Sequence, residues 1–364
     1  MVTLTKNLLK PTRERSGSMA SNRFDYQKDW SLCKLLEVHE SGKNYMLIFE
    51  HEEDLIILDS ENIPKKIDFY QIKTKNSGEW RVSDLIRSNK RSSPSFLGKL
   101  YSNKIKYGLQ TKSLNFVSNA KFNIGLQKGG NALKYIEICV VECIDKDVNK
   151  ISAKLKKEHL LKKDPECQLI FLKVTNLSLH DSGTHTTGKI SKFLSTLNPE
   201  KKYQPELAYR MIFDEIKRKS NYEYECKTIE ELKKNKSIGK KEFLEMLGII
   251  GGIDKDKDFE ETWNATQQRL NQEKEDLRVI TKIKSAWVVY ESKVFDYSDG
   301  LHKELCLCIK KIVSNFNKKV ESLKDFLDNS LEQYRATEFN KNHQKVYDDE
   351  YIKAVVLAQY YERK

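Results

Sequence analysis

No apolar run in the chain approaches the ~18 residues that a membrane-crossing helix needs, and its first residues hold no signal-peptide core. A soluble, cytoplasmic protein without membrane association is therefore expected. Seven cysteines are present, but none forms a C-x-x-C pair and no histidines stand at metal spacing, which excludes a zinc-ligating framework. They read as reduced, buried thiols. There is no G-x-S-x-G elbow, no Cys–His pairing and no dinucleotide fingerprint. HTTGKIS (185–191) contains Gly188-Lys189 but lacks the preceding glycine of a phosphate-cradling loop, and GIIGGIDKDKD lacks the glycine and terminal glutamate of a calcium loop. His180, Asp181 and His185 read as part of a polar loop rather than a metal cluster. Internal repeats and extended low-complexity linkers are also missing.

The 364 residues suffice for two domains, and a hydrophobic content of 38% beside 32% charged residues describes a globular chain. The formal charge of +12 favours a polyanionic partner, nucleic acid first. Lysine supplies most of it, for instance Lys154, Lys156, Lys157, Lys162 and Lys163. Lysine-rich faces meet phosphates without reading bases, so such binding is salt-dependent and weakly sequence-specific.

The pattern along the chain predicts a polar lead-in over 1–20 and then a helix over 23–39, where Phe24, Trp30, Cys33 and Leu36 recur at helical spacing. Strands are expected over 45–50, 54–58 and 67–75, a turn at Gly78, a short helix capped by Ser83 and a second helix over 95–106. Further strands fit 114–120, 135–144 and 167–175, with a lysine-rich helix over 151–163 between the last two. Mixed elements in this order suggest an α/β domain over 21–200, followed by a mainly helical domain over 201–364 that serves oligomerisation or partner binding. Residues 257–284 read as one long charged helical stretch. Leu305, Ile309, Ile312, Phe316, Val320, Leu323, Leu327 and Leu331 step by three and four, close to a coiled-coil seam. That stripe fits either internal helix packing or an interface with a partner.

The richest stretch is KKIDFYQIKTK (65–75), downstream of the acidic run EHEEDLIIL (50–58). Successive side chains of a strand alternate between faces, so Gln71 and Lys73 share one face while Ile72 and Asp68 take the other. Asp54 opens the neighbouring strand. An aspartate carboxylate, the Gln71 amide oxygen and the Ile72 carbonyl are hard oxygen ligands of the sort Mg²⁺ accepts. Lys73 is placed to orient an attacking water and to offset charge on a phosphorane-like transition state. These residue types suit phosphodiester hydrolysis.

DYQKDWSLCKLLE (25–37), LIFEHEEDLIILD (47–59), IDFYQIKTKNSGEWRVSDLI (67–86), SFLGKLYSNK (95–104) and FVSNAKF (116–122) together resemble the PD-(D/E)xK endonuclease domain of anti-phage effectors first described beside bacterial CD-NTases. The resemblance covers roughly residues 20–200. It implies a restriction-endonuclease-like α/β domain followed by an α-helical one, and double-stranded DNA cleavage with Mg²⁺, or Mn²⁺ as a substitute. It carries over Asp54, Gln71 and Lys73 as the catalytic core. Glutamine replaces the acidic residue of the general motif, so modest metal affinity is expected. Glu37 on the first helix matches an auxiliary acidic position, Glu50 is its rival by sharing the parity of Asp54, and Gln27 is a candidate support.

Two defence systems use such a domain. In CBASS effectors it precedes a sensor of cyclic oligonucleotides. In Lamassu systems the nuclease subunit partners with an SMC-like ATPase and a small accessory subunit. The helical C-terminal region is short for a cyclic-oligonucleotide sensor, which favours the Lamassu type, held inactive in the SMC-like complex and released to form a homo-oligomer that cuts. A CBASS effector and a non-catalytic DNA-binding scaffold are the alternatives.

Overall fold

A computed structural model of the chain describes residues 15–88, 93–197, 199, 203–252, 259–294, 299–316, 320–344 and 346–362. Two compact units emerge. The first runs to Ile190 and also takes in Ile216–Phe243, while the second comprises Ser191–Glu215 and Leu244–Lys364.

The first unit is built on a seven-stranded mixed sheet. Its strands are β1 (Met46–Phe49), β2 (Leu55–Leu58), β3 (Ile67–Lys73), β4 (Thr111–Ser118), β5 (Glu137–Cys139), β6 (Ile170–Val174) and β7 (Ser237–Gly239), in the order β5-β6-β4-β3-β2-β1-β7. β1, β2 and β3 run antiparallel, whereas β3, β4 and β6 run parallel. MLIF and LIIL read as continuous apolar runs because every residue of both strands is buried, as expected for strands covered on two faces. Helix α1 (Arg15–Glu40) lies on the Tyr70 side of the sheet, with Trp30 5.4 Å from the Tyr70 ring. Helix α3 (Phe96–Tyr107) and helix α4 (Asp145–Glu158) take the other side. There Leu97, Leu100, Tyr101, Ile151 and Leu155 join Phe69, Leu114, Phe116 and Leu172 in one core. Ser95 caps α3 through Gly98 N at 3.1 Å, and Glu158 accepts from both the amide and the hydroxyl of Ser95 at 2.9 Å. A Cβ at Gly98 would displace the Glu158 carboxylate from its place on Ser95.

Several boundaries differ from the sequence reading, for local reasons. α1 begins at Arg15 rather than 23, and residues 1–14 of the expected lead-in lie outside the described residues. The short helix α2 (Val82–Leu85) is capped at Arg81 rather than Ser83, because the Asp84 carboxylate returns to Arg81 N at 3.2 Å. The strand expected over 135–144 shrinks to β5, since Glu142 takes the Cys139 amide at 2.6 Å and folds the following residues into a tight turn. The lysine-rich helix starts at Asp145 and ends at Glu158, shortly before Leu160 turns left-handed. HTTGKIS lies on helix α5 (Ser182–Leu197), so His185 is helical rather than part of a loop. The seven cysteines are free, but only Cys33, Cys143 and Cys167 are buried.

The division of the chain also departs from a single cut at residue 200. Helix α6 (Pro205–Ser220) leads to helix α7 (Ile229–Lys236) and β7, which pairs antiparallel with β1 at the sheet edge and lies in the first unit.

Helix α8 (Lys240–Gly252) follows β7; residues 253–258, which include most of the rejected calcium-loop segment, lie outside the described residues. The second unit is helical, as expected. The long stretch over 257–284 is divided between α9 (Phe259–Gln272) and α10 (Leu277–Val294), with Lys274 left-handed at the break. The leucine stripe is likewise two elements, α11 (Gly300–Ser314) and α12 (Leu323–Ala336), the second capped by Ser322. Leu305, Ile309, Ile312, Leu323, Leu327 and Leu331 are all buried in one cluster with Trp287 and with Val355 of the last helix. The short α13 (Glu338–Asn342) links α12 to that helix, α14 (Asp349–Glu362). Of the two readings of the stripe, internal packing is the one seen, over two helices rather than one continuous stretch. No helix among the described residues is long and apolar enough to cross a membrane.

Candidate active site

Strand register brings the site together. Leu55 faces Tyr70 across the β2–β3 ladder, so one step further Asp54 meets Gln71. Asp54 Oδ2 accepts from Gln71 Nε2 and from the Ile72 amide, both at 2.6 Å. Lys73 Nζ stands 3.7 Å from the same oxygen. Because these contacts converge on Oδ2, Oδ1 is left for another partner. Asp68 is engaged elsewhere, by Lys112 at 3.0 Å and by the Ser113 hydroxyl.

Asp54, Gln71 and Lys73 line a cleft of about 460 Å³ together with Glu50, Glu53, Lys99, Ser102 and Asn103. The loop from Glu50 to Asp54 supplies four carboxylates to it, those of Glu50, Glu52, Glu53 and Asp54. Glu53 is buried and accepts from Asn103 Nδ2 at 2.8 Å. Burial, and after it the Asp54 charge, pushes both Glu50 and Glu53 up to about 7. Burial also raises Asp54, against the opposing pull of Lys73, the Ile72 amide and Gln71. The cleft thus crowds anionic groups that lack enough positive charge to settle them.

That crowding has a measurable consequence at Glu53. A carboxyl whose folded pKa exceeds its ordinary value of ~4.3 destabilises the fold as pH rises between the two. Glu53→Gln keeps an oxygen for Asn103 and removes the charge. It is expected to raise the melting temperature by roughly 2–4 °C at pH 8 and to change it little at pH 5, in thermal unfolding with EDTA present. An equal shift at both pH values would contradict the assignment.

The other residues singled out in the sequence fall as follows. Glu37 lies on α1, where its half-exposed carboxylate meets Lys34 at 3.1 Å and Lys189 at 3.9 Å, and it does not line the cleft. Gln27 Nε2 donates to the Ile72 carbonyl at 3.1 Å, and its Oε1 is buried without a hydrogen-bond partner. The flanking motif residues hold the end of β3 in place. Asn119 accepts from Lys75 N and donates to Lys75 O, each at 2.9 Å. Trp80 Nε1 donates to Ser118 Oγ at 2.8 Å, and Lys75 Nζ sits 4.2 Å above the Trp80 ring. Sequence reasoning missed Glu53, Asn103 and Lys99. Both Glu53 and Asn103 sat inside quoted motifs, but nothing local says that they meet across fifty residues.

Among the described residues no group of three or more His, Cys, Asp and Glu side chains is arranged to hold a metal. The donor set here is of another kind: Asp54 Oδ1, the Gln71 amide oxygen and the Ile72 carbonyl, all hard oxygens suited to Mg²⁺. Gln27, with its unpartnered Oε1, and Ile72 line a second pocket that shares Lys73 with the cleft, and the raised carboxylates would be relieved by a nearby positive charge. The residues fit a hard divalent cation.

The family described as Cap4, dsDNA endonuclease domain, matches residues 15–220. The chain belongs to that family. The matched Cap4 nuclease region spans α1 to the end of α6, and so holds β1 to β6 and the whole Asp54–Gln71–Lys73 cluster. Among curated proteins, Lamassu protein LmuA of Bacillus cereus (strain VD014) is 24% identical over 244 residues, which cover 65% of this chain and 64% of that protein. The match therefore spans just under two-thirds of the relative's length. No solved structure gives a significant match.

Proposed function

We propose that this chain is a Mg²⁺-dependent double-stranded DNA endonuclease of the PD-(D/E)xK type, the effector of a Lamassu-type anti-phage defence system. The observation that carries the reading is the convergence of Asp54, Gln71 and Lys73 at one cleft of a domain belonging to an endonuclease family. The net charge of +12 suits a DNA partner, and the similarity to a Lamassu protein supports the defence setting.

Asp54 Oδ1, the Gln71 oxygen and the Ile72 carbonyl would hold the cation. When bound, it supplies Lewis-acid charge at the scissile phosphate and lowers the pKa of water. Gln71 and the Ile72 amide fix the Asp54 carboxylate in one orientation, which removes the need to reorganise it during reaction. Lys73 directs its ammonium at the charge that builds on the phosphate oxygens as water adds and the P–O bond to the leaving strand breaks. Glu50 suits the auxiliary carboxylate role better than Glu37, because Glu50 lines the cleft. Lys99 at the rim suits a phosphate contact of the DNA backbone.

We extend the proposal to regulation, as the family resemblance of the sequence implies. An SMC-like ATPase and a small accessory subunit hold the nuclease inactive, and release lets it assemble into a homo-oligomer that cuts in the cytoplasm. Because the leucine stripe is consumed inside the second unit, assembly must use other surfaces.

The test is incubation of the purified chain with closed-circular plasmid, Mg²⁺ or Mn²⁺, and parallel linear duplex, single-stranded DNA and RNA duplex. Nicked and linear plasmid with RNA untouched is the expected result. A chain that retards plasmid in a low-salt gel yet never cuts it would be a scaffold.

A further inference from the structure

The loop that runs from Glu50 to Asp54 is gripped by a residue beyond the family-matched region, which ends at 220. Lys236, the last residue of α7, is buried, and its Nζ donates to the Glu50 carbonyl at 2.7 Å. Glu50 is left-handed, with φ 44°. A residue with a Cβ holds that conformation at a cost and only where its surroundings impose it. The Glu50 amide in turn donates to the Asp54 carbonyl at 3.3 Å, so the two ends of the loop move together.

Lys236 is itself fixed. β7 begins at the next residue and pairs Ser237, Ile238 and Gly239 with Ile48, Leu47 and Met46. Buried Lys219 ties the Ser237 carbonyl to the Glu242 carboxylate, whose two oxygens it meets at 2.7 and 2.8 Å. On the far side of the loop Asn103 holds Glu53, and Lys106 pairs with Glu52.

We infer that Lys236 is a positioning residue for the catalytic loop: its ammonium, acting through the Glu50 carbonyl, sets where Asp54 stands relative to Gln71 and Lys73. The inference rests on the nuclease reading and extends it, because it makes α7 and β7 part of the catalytic unit. These elements lie within Ile216–Phe243, whose chain continues at both ends into the second unit. A small displacement of a reacting group can lower a rate about 100-fold, so the contact need not supply much stability to matter.

The experiment compares full-length parent, Lys236→Met and Lys236→Arg by two readouts. One is the plasmid cleavage rate at saturating Mg²⁺, and the other is amide hydrogen exchange of the peptide over 46–58 without metal or DNA. Lys236→Met is expected to cut about 100-fold more slowly and to exchange faster at residues 50–54, with β3 and β4 as protected as in the parent. Lys236→Arg is expected to cut within about tenfold of the parent, because it restores a cationic donor. Parental rate and parental exchange in Lys236→Met would overturn the inference. So would loss of protection throughout the sheet in both variants, which marks a merely structural lysine. Should the parent cut nothing while loop exchange still rises in Lys236→Met, the nuclease reading falls, and with it the catalytic role of Lys236, leaving only its hold on residues 50–54.

Discussion

Asp54→Asn is expected to abolish DNA cleavage, by about a thousandfold or more, and to make the chain more stable at the same time. Asparagine keeps one side-chain oxygen, which can still accept from Gln71 Nε2 and the Ile72 amide, so the β2–β3 junction survives. What disappears is the charge. Burial holds Asp54 above the usual carboxylate range, which means that the folded chain carries its negative charge at a penalty the unfolded chain avoids. The folded state therefore binds the proton more tightly, and stability falls as pH rises from the unfolded pKa through the folded one. The gain in the variant should be present at pH 8 and fade at acid pH, as read by thermal unfolding with EDTA. A variant that loses activity and stability together would point to a structural role for the carboxylate rather than a catalytic one.

Lys73→Ala is expected to cut DNA about 100- to 1,000-fold more slowly, with a melting temperature that falls modestly at pH 8 and changes little at pH 5. Its Nζ stands 3.7 Å from Asp54 Oδ2, beyond ordinary hydrogen-bond length, and a third of its side chain is exposed at 32%. Asp54 itself is buried, so losing the ammonium leaves its carboxylate, and Glu50 and Glu53 beside it, with less positive charge to offset them. The expected loss of rate is larger than so modest a loss of stability accounts for. Lys73→Arg should recover little, because a planar fork on a different stem does not replace a compact point charge. Plasmid cleavage by Lys73→Ala at the parental rate would remove Lys73 from the site.

Much of this site could be read from the sequence because period and parity are local. Alternation along β3 places Gln71 and Lys73 together, and it sets Asp68 aside, where Lys112 and Ser113 now hold it. The apolar run after Asp54 marks β2, and the antiparallel ladder does the rest. The Trp80 and Ser118-Asn119 signals turn out to be braces for the end of β3. What stayed hidden depends on long-range contacts. β7 is three residues long, too short to show any period, and only pairing with β1 makes Ser237–Gly239 a strand. The meeting of Glu53 with Asn103 and of Lys236 with Glu50 joins segments with no sequence relation. The leucine stripe is legible as a buried face but not as two elements: its steps of three and four are regular enough to read as one helix, yet α11 ends at Ser314, α12 starts at Leu323, and both pack into one core. Periodicity reports which face is buried. It does not report against what.

The most direct test of the account is the rate of plasmid cleavage across a Mg²⁺ titration, with parent and Asp54→Asn measured side by side. The parent should be inactive in EDTA and rise to saturation with Mg²⁺, while Asp54→Asn stays at background throughout. Cleavage by the parent in EDTA, or by Asp54→Asn at saturating Mg²⁺, would contradict a metal-dependent centre built on Asp54, Gln71 and Lys73.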